Sequence, residues 1–283
     1  MIHILVPTDF SANAYNALRY ATGLFKNETC TFYILNAFQT GASNLESIRN
    51  RERNTRLFQI AKETSERDLA AVLKQITAEN KNANSIFKTI SVADSLVNAI
   101  GKSVIENRVQ YIIMGTQGAS GLKSVFLGSN TVNIISKIDF CPIVAVPSEY
   151  KFAIPDTILF ATGFEHVYDK YELKPMLFLA KLLKSNIQVL HLFDETKKEA
   201  HQETAKNVIE KRLKGVNYNI LEKEKKEKVS TEIAAFVDKN NNIGMVAIID
   251  YWHSFIEKLT RESVVKNIAF KTKVPLLVMH LPE

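Results

Sequence analysis

The sequence predicts an α/β protein built as two tandem parallel-sheet domains, each sheet covered by helices on both faces. Two observations predict it: short apolar runs of strand type alternate with segments of helical spacing, and the whole order of runs begins again after Pro147. Nearly continuous apolar strands separated by helices belong to parallel sheets buried on both sides.

In the first half the strand runs are Ile2–Pro7, Thr31–Phe38, Ser85–Ser91, Gln110–Met114 and Cys141–Pro147. Between the first two, Ser11 is a natural N-cap, and Ala14, Ala17, Leu18, Ala21 and Leu24 share one helical face. A second, long and charged helix is expected over Glu46–Lys74, carrying Leu57, Ile60, Ala61, Leu69, Val72 and Leu73. The third starts at Asp94 with Leu96, Val97, Ile100 and Val104 inward, and the fourth near Ser129 with Val132, Ile134 and Ile135 available for packing.

The second half repeats the strand strings in order. IHILVPTDF pairs with DTILFATGF, FYILNAF with IQVLHLF, QYIIMGTQG with GMVAIIDYW, and CPIVAVP with VPLLVMH. The polar stretch Ser148–Pro155 reads as the linker, dividing the chain into residues 1–150 and 151–283. The second copy is shorter, with most of the loss between its second and fourth strands.

Composition excludes several classes. An apolar share of 46% with 23% charged residues is that of a globular chain, not a disordered one. The opening apolar run meets Asp9 too soon for a signal peptide or membrane span, which leaves the cytoplasm as the expected location and no membrane partner. Cys30 and Cys141 each sit in an apolar run, as buried reduced thiols do. The net charge of +6 is spread evenly, +3 in each half, so nothing marks a nucleic-acid face. The alternating run Glu222–Lys228 reads as a solvated loop or helix edge.

The chemistry lies after the fourth strand. Gly115-Thr116-Gln117-Gly118, nine further residues and then Gly128-Ser129 form a G-x-x-G-x9-G-S pattern opening the last helix. Glycines let backbone approach oxygen atoms closely, and a helix N-terminus offers unpaired N–H groups and a positive dipole end to an anion. Each such dipole contact is worth about 0.3–2 kcal/mol. Micromolar affinity needs about 8 kcal/mol, so several donors and a buried base would have to act together.

That pattern, the opening ILVPTDFS before an Ala/Leu helix and the closing CPIVAVP resemble the universal stress protein family in its tandem form. The resemblance is strong in the first half and weaker in the second. It implies open five-stranded sheets of the adenine nucleotide alpha hydrolase-like kind, with the first and fourth strands adjacent where strand order reverses, and a ligand at that switch point. It implies ATP or a related adenine nucleotide as cofactor, with Mg2+ an optional companion. Pro7 and Asp9 would line the adenine and ribose side, Ala37 would offer backbone to the base, and Met114 would pack nearby. Gly115, Gly118, Gly128, Ser129 and Asn130 would hold ribose and phosphates. Each residue also has a plain structural role open to it: Asp9 as an N-cap, Met114 as core, Pro7, Gly115 and Gly128 as punctuation.

In the second half Pro7 and Asp9 become Ala161 and Gly163. Gly115 and Gly118 fall on Asp250 and His253, or on neighbours two residues away, and Gly128-Ser129 on Ser263-Val264 or Arg261-Glu262. No glycine returns, and Tyr251 and Trp252 are bulky enough to fill the crevice, so this half is expected not to bind ATP in the same way. A metal site from His191, Asp250 and His253 is the weaker reading, since His191 merely occupies the strand position of Asn36.

The expectation is therefore a cytoplasmic stress-response protein that binds an adenine nucleotide in its first domain as a regulatory ligand, its second domain a pseudo-dimer partner, with homodimerisation also open. Two alternatives stand beside it. One is slow ATP hydrolysis, against which the G-x-x-x-x-G-K-[ST] lysine is missing. The other is a nucleotide-free interaction module.

Overall fold

A computed structural model of the chain describes residues 1–39, 56–116, 128–164, 166–193, 200–250 and 273–280. The strands are β1 (Ile2–Pro7), β2 (Cys30–Phe38), β3 (Ser85–Ala93), β4 (Tyr111–Gly115), β5 (Ile143–Val146), β6 (Thr157–Thr162), β7 (Asn186–Phe193), β8 (Tyr218–Glu224), β9 (Ile243–Asp250) and β10 (Leu276–His280). The helices are α1 (Ala12–Leu24), α2 (Arg56–Glu79), α3 (Leu96–Glu106), α4 (Ser129–Lys137), α5 (Lys174–Leu183), α6 (Ala200–Arg212) and α7 (Val229–Lys239).

All ten strands lie in one sheet, ordered β3-β2-β1-β4-β5-β10-β9-β6-β7-β8. Within each half the pairs are parallel and the first and fourth strands are neighbours, as expected. The halves meet where β10 runs antiparallel to β5, pairing Leu276 with Ala145, Leu277 with Val144 and Val278 with Ile143. All six residues are buried.

Alternation along the strands sends side chains to two apolar layers. Ile4, Val6, Phe32 and Ile34 pack with Ala17, Leu18, Leu69, Met176 and Ile209 of α1, α2, α5 and α6. Leu5, Leu35, Ile112 and Met114 pack with Ala99, Ile100, Ile134, Ile233 and Val237 of α3, α4 and α7. The helix starts follow local chemistry: Ser11 accepts from the Ala14 amide and Ser95 from the Asn98 amide, so α1 and α3 are both serine-capped.

Several expectations need correction. The charged run is not all loop, for Glu222–Glu224 end the edge strand β8. There Glu222 pairs with Lys206 at 2.7 Å and Lys223 with Glu232, charges that also deter a further strand from adding at that edge. The long charged helix spans Arg56–Glu79, so its expected first part, residues 46–55, lies outside the described residues. The shortening of the second copy falls, as expected, between its second and fourth strands, and specifically between β7 and β8, residues 194–217 against 39–84 between β2 and β3. Nor is the stretch between the halves a loose tether. Asn16 donates to the Pro147 and Tyr150 carbonyls, Tyr150 donates its hydroxyl to Gly244, and Tyr150 and Phe152 pack edge-on to Tyr20. Cys30 and Cys141 are buried free thiols, as read, and burial pushes the Cys30 thiol up to about 11.

His280 ends β10, in register with Asp250. Burial pulls its imidazole down to about 4, against the attraction of Asp139. The fold therefore refuses a proton that the unfolded chain accepts near pH 6.5, and stability is lost as pH falls from 6.5 towards 4. Urea unfolding should show this loss, on the order of 2–3 kcal/mol, and His280→Gln should flatten that part of the profile; an unchanged profile would contradict it.

Candidate functional site

The crevice expected at the reversal of strand order begins with a sharp turn. After β1, Phe10 adopts the left-handed conformation (φ 64), and its amide donates to the Thr8 hydroxyl at 3.0 Å. Such a φ costs a residue with a Cβ about 1–2 kcal/mol. The second half makes the same turn: Phe164 has φ 53 and donates to the Thr162 hydroxyl at 3.0 Å. In the first half this geometry exposes Asp9, whose carboxylate accepts from the Ser11 amide at 3.1 Å. Asp9 is thus not the helix cap; Ser11 is.

Pro7 is buried at the end of β1. Met114 is 5% exposed and packed in the core layer with Leu5, Ile112 and Ile134, which is the structural role open to it. Gly115 closes β4 and touches α1 closely, for a Cβ there would come 2.4 Å from Asn13 Nδ2. Its carbonyl accepts from the Thr131 hydroxyl at 3.0 Å, which ties the end of β4 to the first turn of α4.

Gly128 is the N-cap of α4 with φ −56, an ordinary value, so positive φ is not why glycine stands there. Its amide donates to the Thr116 carbonyl at 2.7 Å, and the Thr116 amide donates to Val146 at 3.0 Å. This amends the expected cradle: the Gly128 N–H is already engaged by the protein. The donors that remain are those of the first turn, Ser129, Asn130 and Thr131, which have no partner within the helix and no side-chain cap. Gly118 lies outside the described residues.

A hollow of about 450 Å³ adjoins this turn, and Ala37 and Asn130 both line it with Asp94, Ser95 and Asn133. Asp94 is 6% exposed. Burial would raise its carboxyl, but hydrogen bonds from Lys102, Asn98 and the Ser95 amide together hold it below the usual carboxylate range. Asp94 and Asn13 escaped sequence reasoning. Asp94 was read only as a helix start, and nothing along the chain announces that Asn13 meets a glycine a hundred residues away.

At the equivalent place in the second half, Ile4 pairs with Tyr111 and Ile158 with Met245. Gly115 therefore corresponds to Ile249 and Thr116 to Asp250, which is the register of the paired strings QYIIMGTQG and GMVAIIDYW and one residue away from the reading of Gly115 on Asp250. Gly163 stands where Asp9 does. His191 is buried, its ring 4.4 Å from that of Phe164, and burial lowers its pKa. Tyr251, Trp252, His253, Arg261, Glu262, Ser263 and Val264 lie outside the described residues. Among the described residues no cluster of His, Cys, Asp and Glu could hold a metal, and no helix is long and apolar enough to cross a membrane.

A mostly parallel sheet with its first and fourth strands adjacent and helices on both faces is the adenine nucleotide alpha hydrolase-like fold. Residues 1–147 match the model of the Universal stress protein family, and the chain belongs to that family. No curated protein matches it. Among solved structures, a universal stress protein from Archaeoglobus fulgidus aligns over 99% of this chain and 97% of its own, with a TM-score of 0.69 and 18% identity. A functionally unknown protein from Pseudomonas aeruginosa aligns over 98% and 92%, with a TM-score of 0.63 and 14% identity. The cytoplasmic domain of a prokaryotic cation chloride cotransporter aligns over 98% and 94%, with a TM-score of 0.54 at 9% identity. At these identities the likeness is one of fold.

The contact between Gly115 and Asn13 makes a prediction. Gly115→Ala should lower stability by about 1–3 kcal/mol, and adding Asn13→Ala should restore most of that loss. Urea midpoints of the single and double variants measure the coupling, and simple additivity would contradict the contact.

Proposed function

We propose that this chain is a cytoplasmic stress-response protein whose first half binds ATP or a related adenine nucleotide as a regulatory ligand, with the second half as its built-in partner. The observation that carries this reading is the start of α4: consecutive amides of Ser129, Asn130 and Thr131 without a side-chain cap, beside the hollow lined by Ala37 and Asn130. Anionic oxygens would satisfy those donors and the helix dipole together. A Cβ at Gly115 would crowd Asn13 beside the end of β4, and Asp9 is exposed at the end of β1, where a ribose hydroxyl could donate to it. Family membership over residues 1–147 supports the same reading.

The division 1–150 and 151–283 follows from it, with the antiparallel β5–β10 pair as the seam of an intramolecular pseudo-dimer. Among the described residues, Ile249 and Gly163 leave the second half without the counterparts of Gly115 and Asp9. We read the nucleotide as bound rather than consumed, because no phosphate-loop lysine follows Gly115.

Isothermal titration of the full chain with ATP, with and without Mg2+, should give one site per chain with a micromolar dissociation constant. Asp9→Ala should weaken it about tenfold, the worth of one charge-assisted hydrogen bond, while the nucleotide-free variant melts close to wild type. No heat at millimolar ATP would refute the proposal, and an unaltered affinity in Asp9→Ala would remove Asp9 from the site.

A further inference from the structure

The second half holds a cavity that the site proposed in the first half does not explain. It lies at the opposite end of the strands, where β6, β7 and β9 begin beside β8 and the last turn of α7, and measures about 270 Å³. Thr157, Gln188, Asn219, Asn240 and Asn242 line it, with Tyr218 and Phe236 as aromatic walls, and among the described residues no charged side chain takes part.

The polar lining is ordered. Gln188 donates to the Val189 and Asn219 carbonyls at 3.1 and 3.3 Å, and its own side-chain oxygen accepts from Asn219 Nδ2 at 3.2 Å. Asn240 donates to the Phe236 carbonyl at 2.7 Å and Asn242 to the Thr157 hydroxyl at 3.2 Å. These bonds use the amide NH2 groups as donors and leave the side-chain oxygens of Asn219, Asn240 and Asn242 as acceptors. A ligand suited to them brings several hydrogen-bond donors.

The internal repeat shows that the cavity is a departure from the first half. Aligned strand by strand, Thr157 and Gln188 stand where the first half has His3 and Tyr33, whose rings stack at 5.9 Å with His3 Nδ1 3.1 Å from the Tyr33 hydroxyl. Lys88, at the place of Asn219, lies over the Tyr33 ring at 5.7 Å. Both first-half positions are thus filled by rings and capped by a cation. In the second half the strand ring is gone and the cation is replaced by an amide. Phe236 on α7 now supplies an aromatic wall instead.

Lack of charge narrows the ligand class. A phosphate would enter with no cation to meet it, and an ammonium group would be desolvated with no carboxylate to balance it. A ring of hydroxyls fits the oxygen acceptors, and its C–H face fits an aromatic wall. We infer that this cavity is a binding site for one neutral, monosaccharide-sized polyhydroxyl ligand. The inference does not rest on nucleotide binding by the first half.

The test uses the full chain, 15N-labelled, titrated with D-glucose, D-galactose, D-ribose and myo-inositol, following the side-chain amide signals of Gln188, Asn219, Asn240 and Asn242. At least one probe should give saturable shifts with a dissociation constant of about 10 mM or tighter. Gln188→Tyr, which restores the first-half residue, should weaken binding at least tenfold. Should that variant misfold, Asn219→Lys, which restores the other, exposed first-half residue, serves in its place with the same expected loss. Glucose 6-phosphate should bind no better than glucose. Shifts that stay linear in all four titrations, saturable shifts indifferent to the folded variant, or tighter binding of the phosphate ester would each overturn the inference.

Discussion

The antiparallel pairing of β5 with β10 is the interaction from which the architecture of this molecule follows. Six fully or nearly fully buried apolar side chains, from Ile143 to Ala145 and from Leu276 to Val278, meet at the centre of a ten-stranded sheet. Two strands that would otherwise be exposed edges cover one another, leaving β3 and β8 as the edges among the described residues. The same pairing turns the second half end for end. The carboxyl ends of β1 and β4 and the amino ends of β6 and β9 consequently lie on one side of the sheet, so the hollow beside α4 and the amide-lined cavity share it.

Strand interiors were the legible part of the sequence, because a parallel strand buried on both faces must be continuously apolar whatever its ends do. The caps Ser11 and Ser95 are equally local: Ser11 is readable directly, whereas the start expected at Asp94 falls two residues before the helix's first residue, Leu96, because Ser95 is the cap. What escaped was set by contacts across the sheet. Gly115 reads as a phosphate-loop glycine, yet its neighbour in space is Asn13. Gly128 reads as a cradle donor, yet its amide is engaged by Thr116. The paired strings QYIIMGTQG and GMVAIIDYW place Gly115 on Ile249, as the strand pairing does, so the reading of Gly115 on Asp250 departs by one residue from both. Alternating charge hid the strand in Glu222–Glu224, because an edge strand facing solvent on both sides needs little apolar pattern.

The two halves also show which parts of a duplicated fold can diverge. Both keep the left-handed turn at Phe10 and Phe164, with its threonine bond, since the path of the chain out of the first strand needs it. Residues beyond that turn are free to change. Asp9 gives way to Gly163 and Gly115 to Ile249 at one end, while at the other Tyr33 gives way to Gln188. One half has a hollow beside the helix start at the carboxyl ends of its strands, and the other opens a cavity at their amino ends.

The central claim is that the first-turn amides of α4 receive the anionic part of a nucleotide while the Gly128 amide stays with Thr116. Backbone 15N shifts during an ATP titration test it most directly. The account predicts saturable movement of the Ser129, Asn130 and Thr131 amides, with slowed exchange, and an unaltered hydrogen bond at Gly128. Bound ATP that leaves those three amides unmoved would contradict it.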